Sequence, residues 1–342
     1  MKAGIYYSNS DVRVENLPVP AVGPKDILIK VKAGGICGSD VMEWYRIKRA
    51  PLVLGHEVTG EVVEVGNDIE KFRQGDPVFA IHHVPCDECV YCLNGHQTAC
   101  PDFQKINNFD PGGFSEYLKI SGKSVDTGVL KLPDQMSYED GTFIEPLGTV
   151  LRGIRALDMN PGDSTVVIGS GLAGLLYIKA LKVMGAGNII AVDVHDSRLK
   201  TAKQFGATHT IRSGRELPDF IRSANGGRLA DRVIICAGAV GAVSSALQSV
   251  DRGGAVLFFA VPKPGETVNI DFNPFWRNDI VMKTSYGSAP VDHLQALKLL
   301  GAGSVNVSDM VTHRLPLEKI AYGFSLASEG KDCLKVLITM ND

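Results

Sequence analysis

Residues 164–174 read STVVIGSGLAG, a short apolar run followed by three closely spaced glycines. The run STVVI has the length and β-branched composition of a buried strand, and LAGLLYIKALKVMG, which begins after the intervening GSG, has the apolar spacing of a helix. A Gly-x-Gly-x-x-Gly turn between strand and helix lets the backbone approach a pyrophosphate, and the helix N-terminus supplies N–H groups to it. This stretch therefore predicts a dinucleotide-binding βαβ unit.

Asp193 extends the prediction to the choice of cofactor. It ends the next apolar run, IIAVD, at the distance where a carboxylate accepts hydrogen bonds from both ribose hydroxyls. A carboxylate there repels a 2′-phosphate, so NAD is favoured over NADP, although His195 and Arg198 weaken this preference. The alternative is a glycine-rich turn in an α/β domain that binds no nucleotide. The runs RVIICAG and AVLFFAV, alternating with helical segments, predict a parallel, doubly wound sheet over residues 149–285.

The residues on either side of this unit have a different pattern. Up to residue 148, short alternating runs such as DILIKVKAGGICG and VTGEVVEVG are bounded by Gly, Pro or Asp, which is typical of a many-stranded β domain of barrel type. A helical segment and a final strand, CLKVLITM, follow after residue 286. We therefore expect an α/β protein in which a β-rich domain, 1–148 with 286–342, is interrupted by the nucleotide-binding domain.

Composition narrows the class of protein. The chain has 342 residues, which favours two domains, and its net charge of −3 argues against nucleic-acid binding. The N-terminal residues contain no long apolar segment typical of a signal peptide, and the most apolar run, VIICAGAVGAV, is too short to span a membrane. We expect a cytoplasmic protein without a membrane partner, in which thiols stay reduced.

Four of the seven cysteines fall within residues 86–100, CDECVYCLNGHQTAC. In a reducing compartment, such clustering indicates metal binding or catalysis rather than disulfides. Short spacers let one loop wrap a tetrahedral zinc ion, so we expect a closed, structural site. Four unrelated cysteines, or two adventitious disulfides, are the alternative.

Cys37, His56 and Glu57 form a second candidate group. A thiolate, an imidazole and a carboxylate from separate segments are the ingredients of a catalytic zinc site with an open position. Each residue also has an ordinary interpretation: a small buried thiol, a core histidine and a surface charge, respectively.

Together, the GHE triplet at 55–57, the Cys-x2-Cys-x2-Cys-x7-Cys loop and IGSGLAG with Asp193 resemble the zinc-containing medium-chain dehydrogenase/reductase family. The resemblance extends over essentially the whole chain. The segment FIEPL, residues 143–147, is similar to the branch of polyol, galactitol-phosphate and L-threonine dehydrogenases. The resemblance implies a GroES-like catalytic domain joined to a Rossmann domain.

It also implies roles for individual residues. Cys37, His56 and Glu57 would ligate a catalytic zinc, and Glu145 would be either a fourth ligand or a partner of the zinc-bound water. Ser39 would take the alcohol proton, although a turn serine is the alternative. The structural zinc would be held by Cys86, Cys89, Cys92 and Cys100. The residues expected to contact NAD are Gly169, Gly171, Leu172, Ala173, Gly174, Asp193, Arg198, Val261, Ser285 and Tyr286.

The implied reaction is oxidation of a secondary hydroxyl of a polyol or sugar alcohol, or reduction of the ketone. The hydroxyl would lose its proton on zinc and the carbon would give hydride to NAD. An L-threonine 3-dehydrogenase or a sugar-alcohol-phosphate dehydrogenase is the alternative among enzymes. A non-catalytic dinucleotide-binding protein is the alternative outside them, and a zinc-ribbon nucleic-acid module is opposed by the acidic charge balance.

Several positions depart from the family pattern. Met42 stands where relatives often carry a proton-relaying histidine, and Glu43 stands where sorbitol-type relatives have an aromatic residue. Arg46 and its basic neighbours Lys48 and Arg49 either contact an anionic group such as phosphate or face water. His83 is a candidate for substrate binding or proton transfer, or is a half-buried strand residue.

The resemblance further implies a homodimer or homotetramer. Relatives commonly continue the nucleotide-domain sheet between subunits. The strand GGAVLFFAV and its neighbour at 280–286 are candidates for such an edge, with core packing as the alternative.

Overall fold

A computed structural model describes residues 1–330 and 333–340. The backbone contacts divide the chain into two compact units, Met1–Gly148 with Ser288–Asp342 and Thr149–Gly287. The assignment of a catalytic domain to 1–148 with 286–342 and of a cofactor domain to 149–285 stays a prediction.

The β-strands that the structure describes are listed here in chain order. They are β1 (Lys2–Ser8), β2 (Asp11–Asn16), β3 (Asp26–Gly35), β4 (Leu52–Val53), β5 (Glu57–Val65), β6 (Pro77–Ala80), β7 (Phe109–Asp110), β8 (Tyr117–Ser121), β9 (Val129–Lys131), β10 (Thr165–Ile168), β11 (Ile189–Asp193), β12 (His209–Arg212), β13 (Ala230–Ile235), β14 (Val250–Phe258), β15 (Val281–Thr284), β16 (Val311–Pro316) and β17 (Lys335–Thr339).

The helices connect these strands. They are α1 (Glu43–Arg46), α2 (Val90–Leu93), α3 (Pro101–Lys105), α4 (Lys123–Thr127), α5 (Tyr138–Gly141), α6 (Ile144–Ala156), α7 (Leu172–Val183), α8 (Asp196–Phe205), α9 (Leu217–Ala224), α10 (Val240–Leu247), α11 (Phe272–Arg277), α12 (Pro290–Gly301) and α13 (Ile320–Glu329). Within the described residues, no helix combines the length and apolar composition needed to cross a membrane.

The first unit contains two sheets. The larger has the order β16-β17-β3-β5-β6-β9, with β8 paired to both β3 and β7, and the smaller has the order β2-β1-β4. All pairs are antiparallel except β16 with β17. Alternating apolar residues fill the core between them, including Ile29, Val58, Phe114, Leu118 and Phe324. The β-rich sequences on either side of the second unit thus fold around one hydrophobic core, which includes residues of β3 and β5.

The second unit contains one parallel sheet of six strands. Its order, β12-β11-β10-β13-β14-β15, corresponds to 3-2-1-4-5-6 when the strands are counted from β10. Strands β10 and β11 are buried along their whole length because helices cover a parallel sheet on both faces. The α/β fold class with a doubly wound sheet is therefore confirmed. The order reverses between β10 and β13, and ligands of such sheets bind at the carboxyl ends of the strands at this point.

One expectation about the sheet edge is wrong in part. Strand β14, from the run GGAVLFFAV, lies between β13 and β15, so it is internal. Its neighbour β15 forms the edge, and Val281 on it is 43% exposed. Apolarity cannot separate the two positions, because both internal and edge strands of a parallel sheet carry apolar runs.

Candidate active site

The side chains of Cys37, His56 and Glu57 converge in the first unit. Their ligand atoms all lie within 4.8 Å of one another. Cys37 follows the end of β3, and Glu57 opens β5, which pairs antiparallel with β3 so that Gly35 lies opposite Glu57. Sheet pairing therefore brings together residues that are about twenty positions apart in sequence.

Gly55 makes the tight turn into this site. Its φ of +96° is disfavoured for any residue with a side chain, and a Cβ there would lie 2.8 Å from the backbone nitrogen of Phe114. A glycine is thus required for the backbone to present His56 and Glu57 side by side.

The donor set fits a zinc ion. Sulfur, imidazole nitrogen and carboxylate oxygen are zinc's usual ligands, and three protein ligands leave a position for substrate. The Oε1 atom of Glu57 is buried and accepts no hydrogen bond from the described residues. A buried acceptor of this kind is costly unless something binds it, and a metal ion would do so.

Lys335 binds the other carboxylate oxygen of Glu57. Its Nζ donates to Glu57 Oε2, and both side chains are completely buried. The same ammonium group lies 3.4 Å from the carbonyl oxygen of Ile36. Sequence reasoning missed Lys335, which lies in β17, 278 residues after Glu57.

Asp40 contacts two of the candidate ligands, Cys37 and His56. Its Oδ2 accepts a hydrogen bond from the Cys37 N–H at 3.0 Å, and its Oδ1 lies 3.3 Å from His56 Nδ1. Burial opposes ionisation of Asp40, but the neighbouring His56 and Arg46 lower the pKa of its carboxyl group. Burial likewise opposes a charge on His56, whereas Asp40 and Cys37 raise the pKa of the ring well above its usual value. A carboxylate behind a ligating histidine fixes the ring and raises its basicity.

Ser39 and Arg46 flank the same cluster. The Ser39 N–H donates to Cys37 Sγ at 3.5 Å. Arg46 Nε donates to the Ser39 carbonyl at 3.0 Å, and its Nη2 donates to Ser39 Oγ at 3.1 Å. The hydroxyl of Ser39 is therefore held beside the candidate metal ligands.

Glu145 lies nearby but outside the three-residue set. It stands in the first turn of α6 and is 8% exposed. Burial, reinforced by the Glu57 carboxylate, raises the pKa of Glu145 to about 7. Both roles of Glu145, fourth ligand and partner of the zinc-bound water, stay predictions.

The two adjacent histidines take different places. His83 Nδ1 lies 2.6 Å from the carbonyl oxygen of Ile106, so a loop carbonyl holds its ring. The His82 ring centroid lies 5.1 Å from that of His56, and no described residue hydrogen-bonds its buried Nδ1. Burial lowers the pKa of His82 well below its usual value. His82, which the sequence did not single out, is thus the histidine in contact with the His56 ring.

The four clustered cysteines form a separate group. Their sulfur atoms all lie within 4.8 Å of one another, with Cys92 3.6 Å from Cys89 and 3.9 Å from Cys86. A tetrahedral ion with Zn–S bonds of about 2.3 Å keeps its sulfurs about 3.8 Å apart, whereas a disulfide would bring two of them to about 2 Å. Backbone N–H groups donate to Cys86 Sγ and Cys100 Sγ at 3.3 Å. All seven cysteines are free. The segment 86–100, the cysteine lobe, therefore fits zinc and not disulfides.

In the second unit, the glycine turn has the geometry of a phosphate cradle. Gly169 has a φ of +97°, and a Cβ on Gly174 would overlap the carbonyl oxygen of Gly169. A Cβ on Gly171 would meet no atom within 4 Å, so the space beside it is open for a ligand. No side chain caps the N-terminus of α7, which begins at Leu172 and Ala173 and leaves its N–H groups for phosphate.

Asp193 ends β11 beside this turn. Its carboxylate accepts hydrogen bonds from the N–H groups of Ser170 (2.8 Å) and His195 (2.9 Å), and Arg198 approaches it to 3.9 Å. These bonds hold the carboxylate at the carboxyl end of the strand, where a ribose would bind.

The three remaining cofactor candidates lie on loops after β14 and β15. Val261 is 54% exposed and Tyr286 is 58% exposed. The Ser285 N–H donates to the Phe258 carbonyl at 3.2 Å, while its Oγ is buried and forms no hydrogen bond with the described residues. Their contacts with a dinucleotide stay predictions.

Comparisons with known proteins identify the class. A model of the alcohol dehydrogenase GroES-like domain matches residues 23–134, and a zinc-binding dehydrogenase model matches residues 173–302. The chain belongs to the zinc-binding dehydrogenase family, whose members are oxidoreductases. The expected family, the zinc requirement and the nicotinamide cofactor are thereby confirmed.

Individual relatives span the whole chain. Sorbitol dehydrogenase of Bacillus subtilis (strain 168) is 32% identical over 100% of this chain and 98% of its own length. The L-threonine 3-dehydrogenase of Bacillus velezensis is 31% identical over 99% of this chain and 98% of its own. A solved structure from Sinorhizobium meliloti 1021, bound to NADP, has a TM-score of 0.88 and 26% identity, covering 99% of this chain and 98% of its own.

Proposed function

We propose that this chain is an NAD-dependent zinc dehydrogenase that oxidises a secondary hydroxyl of a polyol, sugar alcohol or related hydroxy compound, or reduces the ketone. The observation that carries the proposal is the convergence of Cys37, His56 and Glu57, with Asp40 beside His56 and the Ser39 N–H donating to Cys37 Sγ. A protein that only binds dinucleotides has no need of an open metal site, so this group favours an enzyme.

The proposed reaction transfers a hydride and a proton, and different residues serve metal binding and proton transfer. Zinc bound by Cys37, His56 and Glu57 supplies a Lewis acid that lowers the pKa of a hydroxyl group. Ser39 Oγ would accept a hydrogen bond from the substrate hydroxyl and take its proton while giving up its own hydroxyl proton, so the serine stays neutral. A bound nicotinamide would accept the hydride from the substrate carbon, and the proton relayed by Ser39 would pass to solvent. Met42 has no titratable group, so proton release passes through groups other than a histidine at that position.

Three further properties belong to the proposal. The hydrogen-bonded carboxylate of Asp193 favours NAD over NADP, because a 2′-phosphate would lie against it. Seven free cysteines favour a reducing compartment, and we place the protein in the cytoplasm. The substrate is a small molecule rather than a nucleic acid or membrane, in keeping with the net charge of −3.

A substrate screen tests the proposed function. We expect at least one neutral polyol, polyol phosphate or amino alcohol to reduce NAD, on the order of tenfold faster than NADP, measured by absorbance of the reduced nicotinamide. Removal of the metal with a chelator should abolish the reaction, and added zinc should restore it. Oxidation of threonine alone would favour the L-threonine 3-dehydrogenase alternative. Tight NAD binding without turnover of any alcohol would mean a non-catalytic binder.

We also propose that two copies associate through the edge strand β15 to form a dimer, or a tetramer built from such dimers. Phe272 and Trp276 on α11 are 61% and 80% exposed, and Val281 on the edge is 43% exposed. Exposed aromatic residues beside an open sheet edge mark an association surface.

The oligomer prediction is tested at Trp276. Trp276→Glu places a charge in this surface and is expected to convert the oligomer to a monomer in sedimentation velocity. Tyr322→Glu, which changes an aromatic residue 54% exposed on α13, is the matched control and should keep the wild-type mass. A monomeric wild-type protein, or an unaltered mass for Trp276→Glu, would contradict the proposal.

A further inference from the structure

We propose that Arg46 recognises an oxyanion on the substrate, so that the alcohol oxidised here carries a carboxylate or phosphate close to the reacting carbon. The inference rests on the proposed function and narrows its substrate class. The three basic residues of the loop differ in exposure. The Arg46 side chain is 12% exposed, whereas Lys48 and Arg49 are exposed and face solvent.

The guanidinium group of Arg46 is only partly used by the protein. Nε and Nη2 donate to the carbonyl and hydroxyl oxygens of Ser39. Asp40 Oδ1 lies 3.6 Å from Nη2, beyond hydrogen-bond distance, so this ion pair does not saturate the guanidinium. Nη1 likewise forms no hydrogen bond within the described part of the chain. One full N–H2 group therefore remains for a ligand.

The backbone around Arg46 is held in place by its neighbours. Asn9 donates from its backbone to Glu43 Oε1 at 3.0 Å and from its side chain to the Val41 carbonyl at 2.7 Å. Tyr6 fixes Asn9 through a 2.9 Å hydrogen bond, and the Arg46 guanidinium lies over the Tyr45 ring at 4.7 Å. A cation positioned before the ligand arrives loses less entropy on binding.

The position of the guanidinium determines which part of the substrate it can bind. Ser39 Oγ is shared: the substrate hydroxyl is expected to bind it, and Arg46 already donates to it. A substrate placed for reaction therefore has its neighbouring carbons within reach of Arg46. Arginine pairs most strongly with planar or tetrahedral oxyanions, through parallel charged hydrogen bonds. The free Nη1 group would form stronger, charged hydrogen bonds with an oxyanion than with a neutral hydroxyl.

The test compares three substrates of one carbon skeleton: a neutral hexitol, its monophosphate and the corresponding hexonate. We expect wild-type kcat/KM to be higher for one of the anions by at least about tenfold. Whichever anion is preferred identifies phosphate or carboxylate as the ligand. Arg46→Gln is expected to bring that ratio close to one, and Arg46→Lys should leave an intermediate ratio. Equal kcat/KM for all three compounds with the wild-type enzyme would overturn the proposal.

Two controls separate recognition from structural support. Lys48→Gln removes a basic residue of the same loop that faces solvent, and it should keep the wild-type ratio. Zinc content of Arg46→Gln should remain that of the wild type. If Arg46→Gln loses one zinc and keeps the anion preference, Arg46 only supports Asp40 and the proposal is wrong.

A binding measurement distinguishes this inference from the proposed function. Calorimetry of the zinc-loaded protein with the preferred anion needs no turnover. If no alcohol is oxidised but the anion binds wild type at least about tenfold more tightly than Arg46→Gln, the proposed reaction fails and the anion site stands. If alcohols are oxidised and both proteins bind the anion equally, the anion site fails and the dehydrogenase stands.

Discussion

Lys335→Met is expected to lower the free energy of unfolding of the first unit by about 3–5 kcal/mol in the metal-free protein. The substitution leaves the Glu57 carboxylate buried, charged and without its cation, because both side chains are completely buried. Trp44 is the only tryptophan outside the second unit, so its fluorescence in a Trp276→Phe background follows this unit during urea denaturation. Zinc should recover part of the loss, since it supplies Glu57 with another positive partner.

Two further variants test whether the loss of stability comes from the unpaired buried charge. Glu57→Gln combined with Lys335→Met removes both charges and should recover most of the stability, because replacing a whole buried pair is often close to neutral. Lys2→Met breaks an exposed pair with Glu318 and should change the unfolding free energy little. Equal losses for Lys335→Met and Lys2→Met would show that the Glu57–Lys335 pair is not buried as described.

Cys37→Ala is expected to reduce the zinc content from two ions per chain to one and to lower kcat by at least about a thousandfold. A Lewis acid contributes several kcal/mol to such a reaction, and each 1.36 kcal/mol is a factor of ten. Metal analysis of the purified protein and the rate of NADH formation measure the two effects. The remaining zinc should be that of the cysteine lobe at 86–100.

Cys333→Ala is the matched control for this prediction. Cys333 is a free, partly buried cysteine that belongs to neither metal cluster. Its replacement should keep two zinc ions and wild-type turnover. Two ions per chain in Cys37→Ala, or turnover within tenfold of wild type, would remove Cys37 from the catalytic metal site.

The parts of the molecule that the sequence predicts well are those encoded by neighbouring residues. The glycine turn at 169–174 and the cysteine lobe at 86–100 each lie within one short segment, so spacing alone carries the geometry. The alternation of strand and helix in the second unit is equally local and gave the correct fold class.

The parts that the sequence could not predict depend on long-range pairing and side-chain direction. Nothing in KVLIT marks its lysine as the partner of Glu57, because a lysine in a strand ordinarily reads as a solvent-facing position. Arg46, Lys48 and Arg49 are equivalent in composition, and only the loop conformation turns Arg46 inward. His82 and His83 follow the end of β6, where strand alternation no longer decides which ring faces His56.

Lys335 also lies far from its partner Glu57 in the order of synthesis. The first unit is interrupted by the second, so a growing chain exposes Cys37, His56 and Glu57 long before β17 leaves the ribosome. At about 5–20 residues per second, the 278 residues between Glu57 and Lys335 take roughly 15–55 s to synthesise. During that interval a nascent thiolate, imidazole and carboxylate lack their buried ammonium, while the cysteine lobe is already complete. We therefore expect the cysteine lobe to have its full ligand set during synthesis, well before the buried ammonium reaches Glu57.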